Sequence, residues 1–452
     1  MKKLLNLIGI DSTIVFTIAS RLVQAIGGML SIFLVTKLLS VSEQGYYYTF
    51  ASLVTVQLFF ELGFSEIITQ FVSHEFAHLK LENSHLVGEE RHISRTASIF
   101  KLTLKWFTVM AFVLFAALIV IGSVFFTTYA GKSEQVVNWF MPWTLLCLAT
   151  SITIFINPLL GVFEGLGLIK DVAVVKTYQI ATQVSLIFLF FITDFGLYSQ
   201  PLALVISLIW YPVWMFVTNK FSILRNLYEY KVHIWKVSYL KEIFPYQWKL
   251  AVSWISGFFI YQLFNPVLFA TDGPIVAGQM GVTVALINGC SYLTLAWINT
   301  KIPLMSSLIA KKDYLALDAV FFKAFKQAVV LNVFILTTII ILKIVTENFF
   351  PGLNSRFLPL TPFILMCTSN FANQIIIALA VYLRCHKKEP LLVQSVVLAI
   401  ATSLSTIVLG MYYGVTGITI GYATITIVIG LTWTIYTFHN KRILWHSNQT
   451  SQ

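Results

Sequence analysis

The sequence predicts an all-α, polytopic membrane protein of about 12 transmembrane helices in two six-helix halves, and three observations predict it. The first is composition: 58% of the 452 residues are hydrophobic and 11% are charged, where a soluble domain carries about 25% charged residues. A mean hydropathy of +0.81 agrees. The second is that apolar runs of membrane-spanning length, about 20 residues, recur along the whole chain. The third is charge placement. If the runs are threaded through a bilayer in turn, 25 of the 30 Lys and Arg residues fall on one side. Only Lys37, Lys132, Lys343 and Arg356 fall on the other, and Arg21 lies within the first run. A wrong helix count scrambles such sidedness, so the asymmetry supports the count and predicts that the lysine-rich side, with both termini, is cytoplasmic. The net charge of +11 therefore reads as membrane orientation, and no nucleic-acid partner is expected.

The runs are 12–38, 45–72, 100–128, 136–163, 169–193, 200–219, 245–271, 276–300, 320–346, 357–384, 390–413 and 415–438, numbered here as helices 1 to 12. Met1-Lys2-Lys3 is basic like a signal peptide, but the following apolar region runs on without a small-residue cleavage site and reads as an uncleaved first helix. The alternating pattern of a transmembrane barrel is absent. Loops on the lysine-poor side are short, such as Ser40–Gln44, whereas 74–99 and 220–244 on the lysine-rich side are longer. The basic 220–244 stretch, with Trp235, reads as an interfacial connector or as a solvated loop. The domain reading is an N-terminal six-helix bundle over 1–225, a connector over 226–244, and a C-terminal bundle with its tail over 245–452. A faint internal repeat fits it: Arg21 precedes Gly27-Gly28 as Lys249 precedes Ser256-Gly257. Transporter folds are often built from such repeats, with the site at their interface.

Ionisable residues inside the membrane are expensive and mark function or a structural pair. Arg21 sits about nine residues into helix 1, roughly 13 Å deep at 1.5 Å per residue. Glu61 and Glu66 lie in Phe60-Glu61-Leu62-Gly63-Phe64-Ser65-Glu66 of helix 2. Glu61 falls near the depth of Arg21, so the two could pair, either structurally or as a pair opened by an anionic ligand. Lys249 either faces a central cavity or rests at the interface beside Trp248. Asp272 reads as a loop residue beside Gly273-Pro274. Amides and an aromatic at Gln24, Gln57, Asn157, Gln179, Gln183, Gln262, Asn265, Asn288, Trp297, Asn299, Asn370, Asn373 and Gln374 either glue helices together or line a wet cavity.

His74-Glu75-Phe76-Ala77-His78 matches the H-E-x-x-H pattern, which puts two zinc-binding histidines on one helical face beside a general base. An intramembrane zinc metalloprotease is therefore an alternative, although no convincing third ligand appears. No metal or cofactor is expected, the four cysteines show no zinc or disulfide spacing, and no P-loop is present to power an ATP-driven pump.

The run Arg21-Leu22-Val23-Gln24-Ala25-Ile26-Gly27-Gly28, followed by Lys37-Leu38-Leu39-Ser40 and Gly45-Tyr46-Tyr47, resembles the start of the polysaccharide-repeat flippases of Wzx type. Glu61-Leu62-Gly63 resembles their acidic-Leu-Gly step in helix 2. Gln247-Trp248-Lys249, Ser253-Trp254-Ile255-Ser256-Gly257 and Ala277-Gly278-Gln279-Met280-Gly281 are similar to helices 7 and 8 of membrane proteins of lipopolysaccharide biosynthesis. That family belongs to the multidrug/oligosaccharidyl-lipid/polysaccharide exporter superfamily. The resemblance implies two six-helix bundles, a cationic cavity and alternating access. The substrate it implies is an undecaprenyl-pyrophosphate-linked oligosaccharide for surface polysaccharide such as O-antigen, in the bacterial cytoplasmic (inner) membrane. On this basis the substrate-binding set is expected to be Arg21, Lys249, Glu61, Glu66, Gln24 and Trp254. The expected partners are that glycolipid, membrane lipid, a coupling H+ or Na+, and glycan polymerase or ligase machinery. The non-enzymatic alternatives are a cation-coupled multidrug exporter and a scaffold of an envelope-assembly complex. The drug-exporting branch often carries an acid inside helix 1, whereas here Asp11 lies only at its mouth.

Overall fold

A computed structural model describes residues 27–132, 136–232, 235–386 and 388–447. It is a helical membrane protein. Ten continuous helical stretches among the described residues are long and apolar enough to cross a bilayer. A shorter apolar helix, Gly27–Leu38, is the described part of helix 1. The last stretch, Leu392–His446, holds two predicted spans, because Gly414 adopts φ 55° and ψ −142° and divides helix 11 from helix 12. The carboxylate of Asp272 accepts the Val415 N–H at 3.1 Å, so this loop residue caps the start of helix 12.

Many large side chains face outward, Phe112 at 73% and Val124 at 62% exposure among them. In water such a surface would be an aggregation hazard; in lipid it is the expected solvent face. Helix 3, Glu90–Tyr129, has 40 residues. At 1.5 Å per residue it is about 60 Å long, twice the hydrocarbon thickness, so it projects well beyond the bilayer.

The chain forms two compact units. The first gathers the described residues up to Leu38 with Leu53–Thr128 and Val136–Ile255. The second gathers Leu39–Ser52, the segment from Tyr129, and the described residues from Ser256 onward. Helices 2 and 7 each contribute to both units, and both are interrupted. Helix 2 runs as Val41–Val54, a 3-10 turn Thr55–Gln57, a single turn Leu58–Glu61, and then Phe64–Phe76. Helix 7 runs as Phe244–Tyr261 and Phe264–Thr271. Pro266, which cannot donate a backbone hydrogen bond, lies just after that break.

A two-stranded hairpin, β1 Leu79–Glu82 and β2 His85–Gly88, follows helix 2. Asn83 and Ser84 turn it with φ of 47° and 67°, the left-handed pair of a tight hairpin. The amphipathic helix Phe221–Glu229 buries Ile223, Leu224 and Leu227. Asn226 donates from it to the Ser84 carbonyl at 2.8 Å, which docks the hairpin within the first unit.

Candidate substrate site

The break in helix 2 falls on the acidic residue singled out by the sequence. Glu61 is the last residue of its helical turn, and Leu62 (φ 48°, ψ 33°) and Gly63 (φ 69°, ψ 13°) are both left-handed. A left-handed conformation costs a branched residue such as leucine about 1–2 kcal/mol, so only the following glycine adopts it without strain. The helix restarts at Phe64 without a side-chain cap, leaving its first N–H groups without helical partners. Ser65 Oγ donates to Glu61 Oε1 at 2.7 Å. A half-buried carboxylate, a hydroxyl and a fresh helix start thus meet in the middle of a membrane-spanning segment. Interrupted helices of this kind are where membrane transporters hold ions and polar cargo.

Of the other expected site residues, Trp254 is half-buried on helix 7 and Glu66 is exposed, one turn beyond Glu61. The structure does not bring Glu66 into the Glu61–Ser65 pair. Arg21 and Gln24 lie outside the described residues. Lys249 is helical in its backbone, and its side chain lies outside the description.

The H-E-x-x-H segment is engaged in ion pairing. Glu75 is 4% exposed and accepts from Arg95 Nε at 2.7 Å, while His92 Nδ1 lies 2.6 Å from its other oxygen. The helix ends at Phe76, so His78 lies beyond it and stacks on His92 at 4.3 Å. The two histidines of the motif therefore do not share a helical face. Among the described residues no three His, Cys, Asp or Glu side chains are placed to hold a metal ion.

Arg95 also reaches Glu242 at 2.5 Å, and this pair belongs to a longer seam. Ser94 donates to the Trp235 carbonyl at 3.4 Å, Ser98 accepts from the Val237 N–H at 3.1 Å, and Lys101 donates to the Tyr230 carbonyl at 2.8 Å. Residues 94, 98 and 101 are spaced i, i+4, i+7, so one face of helix 3 carries the seam. The projecting end of helix 3 is the dock for the connector. Burial pulls the Glu242 carboxyl upward, but hydrogen bonds from Arg95 and the Ser238 N–H, with the Arg95 charge, outweigh it and hold the group below its usual range.

The second unit holds a polar core. Gln374 Oε1 accepts from Asn332 at 2.5 Å and from Thr294 at 2.8 Å, joining helices 8, 9 and 10. One turn earlier Asn370 accepts from Ser291 at 2.9 Å, and the adjacent Asn373 donates to Tyr422 at 2.6 Å. In the first unit Gln179 donates to Ser207 at 2.9 Å. These amides act as interhelical glue, the first of their two expected roles. Asn332 and Gln394, the latter bonded to the Gly430 carbonyl and Thr434 at 2.7 Å each, belong with them. A lone amide inside an apolar run was their sequence signal.

No protein-family model matches the sequence, and no curated protein matches it. Solved structures do. The lipid II flippase MurJ, in an inward closed conformation, aligns at TM-score 0.62 and 15% identity over 95% of this chain and 89% of its own. An inward-facing multidrug resistance MATE family transporter of the MOP superfamily aligns at TM-score 0.61 and 13% identity over 92% of this chain and 98% of its own. The MATE multidrug transporter DinF-BH aligns at TM-score 0.60 and 14% identity over 95% of each chain. At these identities the likeness is one of architecture, and over nearly its whole length this chain has the fold that MurJ and the MATE transporters share.

Proposed function

We propose that this protein is a flippase that carries undecaprenyl-pyrophosphate-linked oligosaccharide repeat units across the bacterial cytoplasmic membrane for surface polysaccharide assembly. The observation that carries the reading is the interruption of helix 2 at Glu61-Leu62-Gly63, inside a fold shared with a lipid II flippase. Each sugar hydroxyl moved unpaired into hydrocarbon costs several kcal/mol, so an oligosaccharide faces a barrier of tens in total. A polar path through the protein removes that barrier while the lipid tail stays in the bilayer.

In this reading the lysine-rich side is cytoplasmic, and residues 1–225 and 245–452 form two bundles joined by 226–244. Arg21 captures the pyrophosphate, because a guanidinium fork suits phosphate oxygens and keeps its charge. Lys249 assists, and Glu61 is the counter-ion of Arg21 in the empty state. A coupling H+ or Na+ drives the cycle, and glycan polymerase or ligase machinery takes the product.

The test is lipid-linked glycan analysis in cells lacking the protein, with the leaflet resolved by an external glycan-modifying probe. Complete repeat units trapped inside, released by wild type and not by Arg21→Ala, are the expected result. Normal delivery to the outer face, in cells with no redundant flippase, rejects it. A second reading, cation-coupled multidrug export, is favoured by one observation: the described membrane-embedded charge of the site is the acid Glu61, which suits a cationic cargo. Efflux of a cationic dye that depends on Glu61 and ignores Arg21 would select it.

A further inference from the structure

The end of helix 12 is fastened by side chains that converge on one acid. Asp318 lies in helix 9 (Tyr314–Phe349), Tyr382 in helix 10 (Leu360–Cys385), and Arg442 and His446 in the last helical stretch, Thr432–Ser447. Asp318 accepts from Arg442 Nη2 at 2.6 Å and Nε at 3.1 Å, and from the Tyr382 hydroxyl at 2.7 Å. His446 places Nε2 3.2 Å from that hydroxyl and Nδ1 4.0 Å from Asp318. His386, just past helix 10, places Nδ1 3.1 Å from the Tyr382 carbonyl, and its ring centre lies 6.2 Å from that of His446. Tyr314 stacks on His446 at 4.2 Å, and Trp445 covers His386 at 4.8 Å.

The partners fix where the protons are. A carboxylate bound by Arg442 only accepts, so the single Tyr382 proton points at Asp318. The contact of that oxygen with His446 then needs Nε2–H as the donor. This leaves Nδ1 of a neutral His446 bare and beyond hydrogen-bond reach of Asp318. The Tyr382 carbonyl takes the Nδ1–H of His386, which leaves Nε2 bare, buried and without a hydrogen-bond partner among the described residues. Each ring is thus complete as a neutral imidazole, and one more proton has no good place. On His386 it creates a buried N–H with no acceptor. On His446 it faces an acid already held by Arg442, one turn away on the same helix. Lys388, whose ammonium lies 4.9 Å over the Trp445 ring, adds a further positive charge. Arg384 is taken up by Glu389 at 3.1 Å, and Asp313 caps helix 9. Both histidines lie past the ends of their spans, 384 and 438. Burial, with Arg442 beside His446 and Lys388 beside His386, outweighs Asp318 and the Tyr382 carbonyl and pulls both rings below the ordinary imidazole value.

We propose that His386 and His446 are a proton-operated clasp: as neutral rings they hold the end of helix 12 on helices 9 and 10, and on acidification of the lysine-rich side they let its last turns fray. Fraying uncovers little. The buried cluster of this end reaches Phe438, and from His439 to His446 no residue is buried. A histidine that resists its proton in the fold contributes stability that is full above its unfolded value, about 6.5, and is lost as the pH falls below that value. The clasp is therefore closed at neutral pH and opens on mild acidification.

The test reads the mobility of a nitroxide on Ile443→Cys, an exposed position of this end, in the full chain in lipid nanodiscs. The four native cysteines are buried and leave the label on the new one. Between about pH 7.5 and about pH 5.5, which bracket the ordinary imidazole value, the ratio of mobile to held label should rise by about tenfold, the change supplied by one histidine depressed by about one pH unit. The double variant His386→Gln/His446→Gln, folded by its elution profile, should lose most of that rise. A wild-type ratio that stays constant overturns the proposal, and so does a full rise in the double variant. The imidazole signals of histidine-labelled protein in nuclear magnetic resonance, assigned by their loss in each single variant, are the second measurement. Both should titrate below about 6.5, and titration of either at or above that value overturns the clasp. Neither measurement uses a substrate, so the outcome stands apart from the flippase reading.

Discussion

The guanidinium of Arg95 sits between two carboxylates, 2.7 Å from Glu75 and 2.5 Å from Glu242. Glu75 ends helix 2, Arg95 begins helix 3 and Glu242 lies in the connector that leads to helix 7. One side chain thus fastens three segments that are far apart in sequence. Arg95→Ala leaves the nearly buried Glu75 without its main counter-charge. Removing one partner of a buried pair costs about 3–5 kcal/mol. The partial exposure of Arg95 and Glu242 reduces this toward roughly 2–3 kcal/mol. Lysine at this position should recover less than half of the loss, because one ammonium cannot match the planar fork that spans both acids. Thermal unfolding of the purified variants measures it, and an Arg95→Ala protein as stable as wild type would mean that Arg95 does not fasten these segments.

The same pair predicts a pH dependence. The Glu242 carboxyl is held below its ordinary range in the folded protein. A depressed carboxylate contributes stability that is fully present above its unfolded value, about 4.3, and is lost as the pH falls through the folded value. The connector should therefore become protease-sensitive only below about pH 4.3. Glu242→Gln should be more sensitive than wild type at neutral pH and show a smaller further change on acidification. Limited proteolysis of residues 230–242 across that range decides it.

Apolar run length carried the helix count because hydrocarbon thickness sets it, and Gly414 separates helices 11 and 12 between the predicted runs. The break in helix 2 was invisible to the same reasoning. Leu62 and Gly63 are uncharged and a single acid, Glu61, does not end an apolar run, so hydropathy runs on while the backbone turns left-handed. The hairpin at 79–88 escaped because its strands have only four residues each, although Asn83 is a common left-handed turn residue. The His74–His78 pattern, which offers the zinc protease only as an alternative, shows a related limit. A local motif says nothing of Arg95 and His92, the partners that occupy Glu75 in the fold. The seam along helix 3 uses connector carbonyls, and backbone acceptors leave no trace in a sequence.

Glu61 offers a clean separation of charge from shape. In Glu61→Gln the side-chain carbonyl can still accept the Ser65 hydroxyl, so the fold should keep its stability to within about 0.5–1.5 kcal/mol, the worth of one hydrogen bond. The charge is gone, and under the proposed flippase function glycolipid delivery should fall at least about tenfold, equivalent to about 1.4 kcal/mol of transition-state stabilisation. Ser65→Ala keeps the charge and should fall less. Delivery by Glu61→Gln at the wild-type rate, with normal protein in the membrane, would exclude a role for this carboxylate in transport.

The Gln374 cluster tests what holds the second unit together. Its carbonyl is shared by Asn332 and Thr294, and Asn332 and Gln374 are almost wholly buried. Gln374→Ala removes two hydrogen bonds and leaves the Asn332 amide in an apolar setting. That loss should cost about 1–3 kcal/mol, the penalty of an unsatisfied buried group. Gln374→Leu with Asn332→Leu removes both partners and fills the space, so the double variant should be more stable than the sum of the single losses. Interhelical hydrogen bonds in membranes couple by about 0.6–2 kcal/mol, and the double-mutant cycle on unfolding free energies should return a value in that range. Strict additivity would mean that the amides are placed side by side without stabilising the unit. A coupling in the expected range would assign the cluster to packing of the second unit.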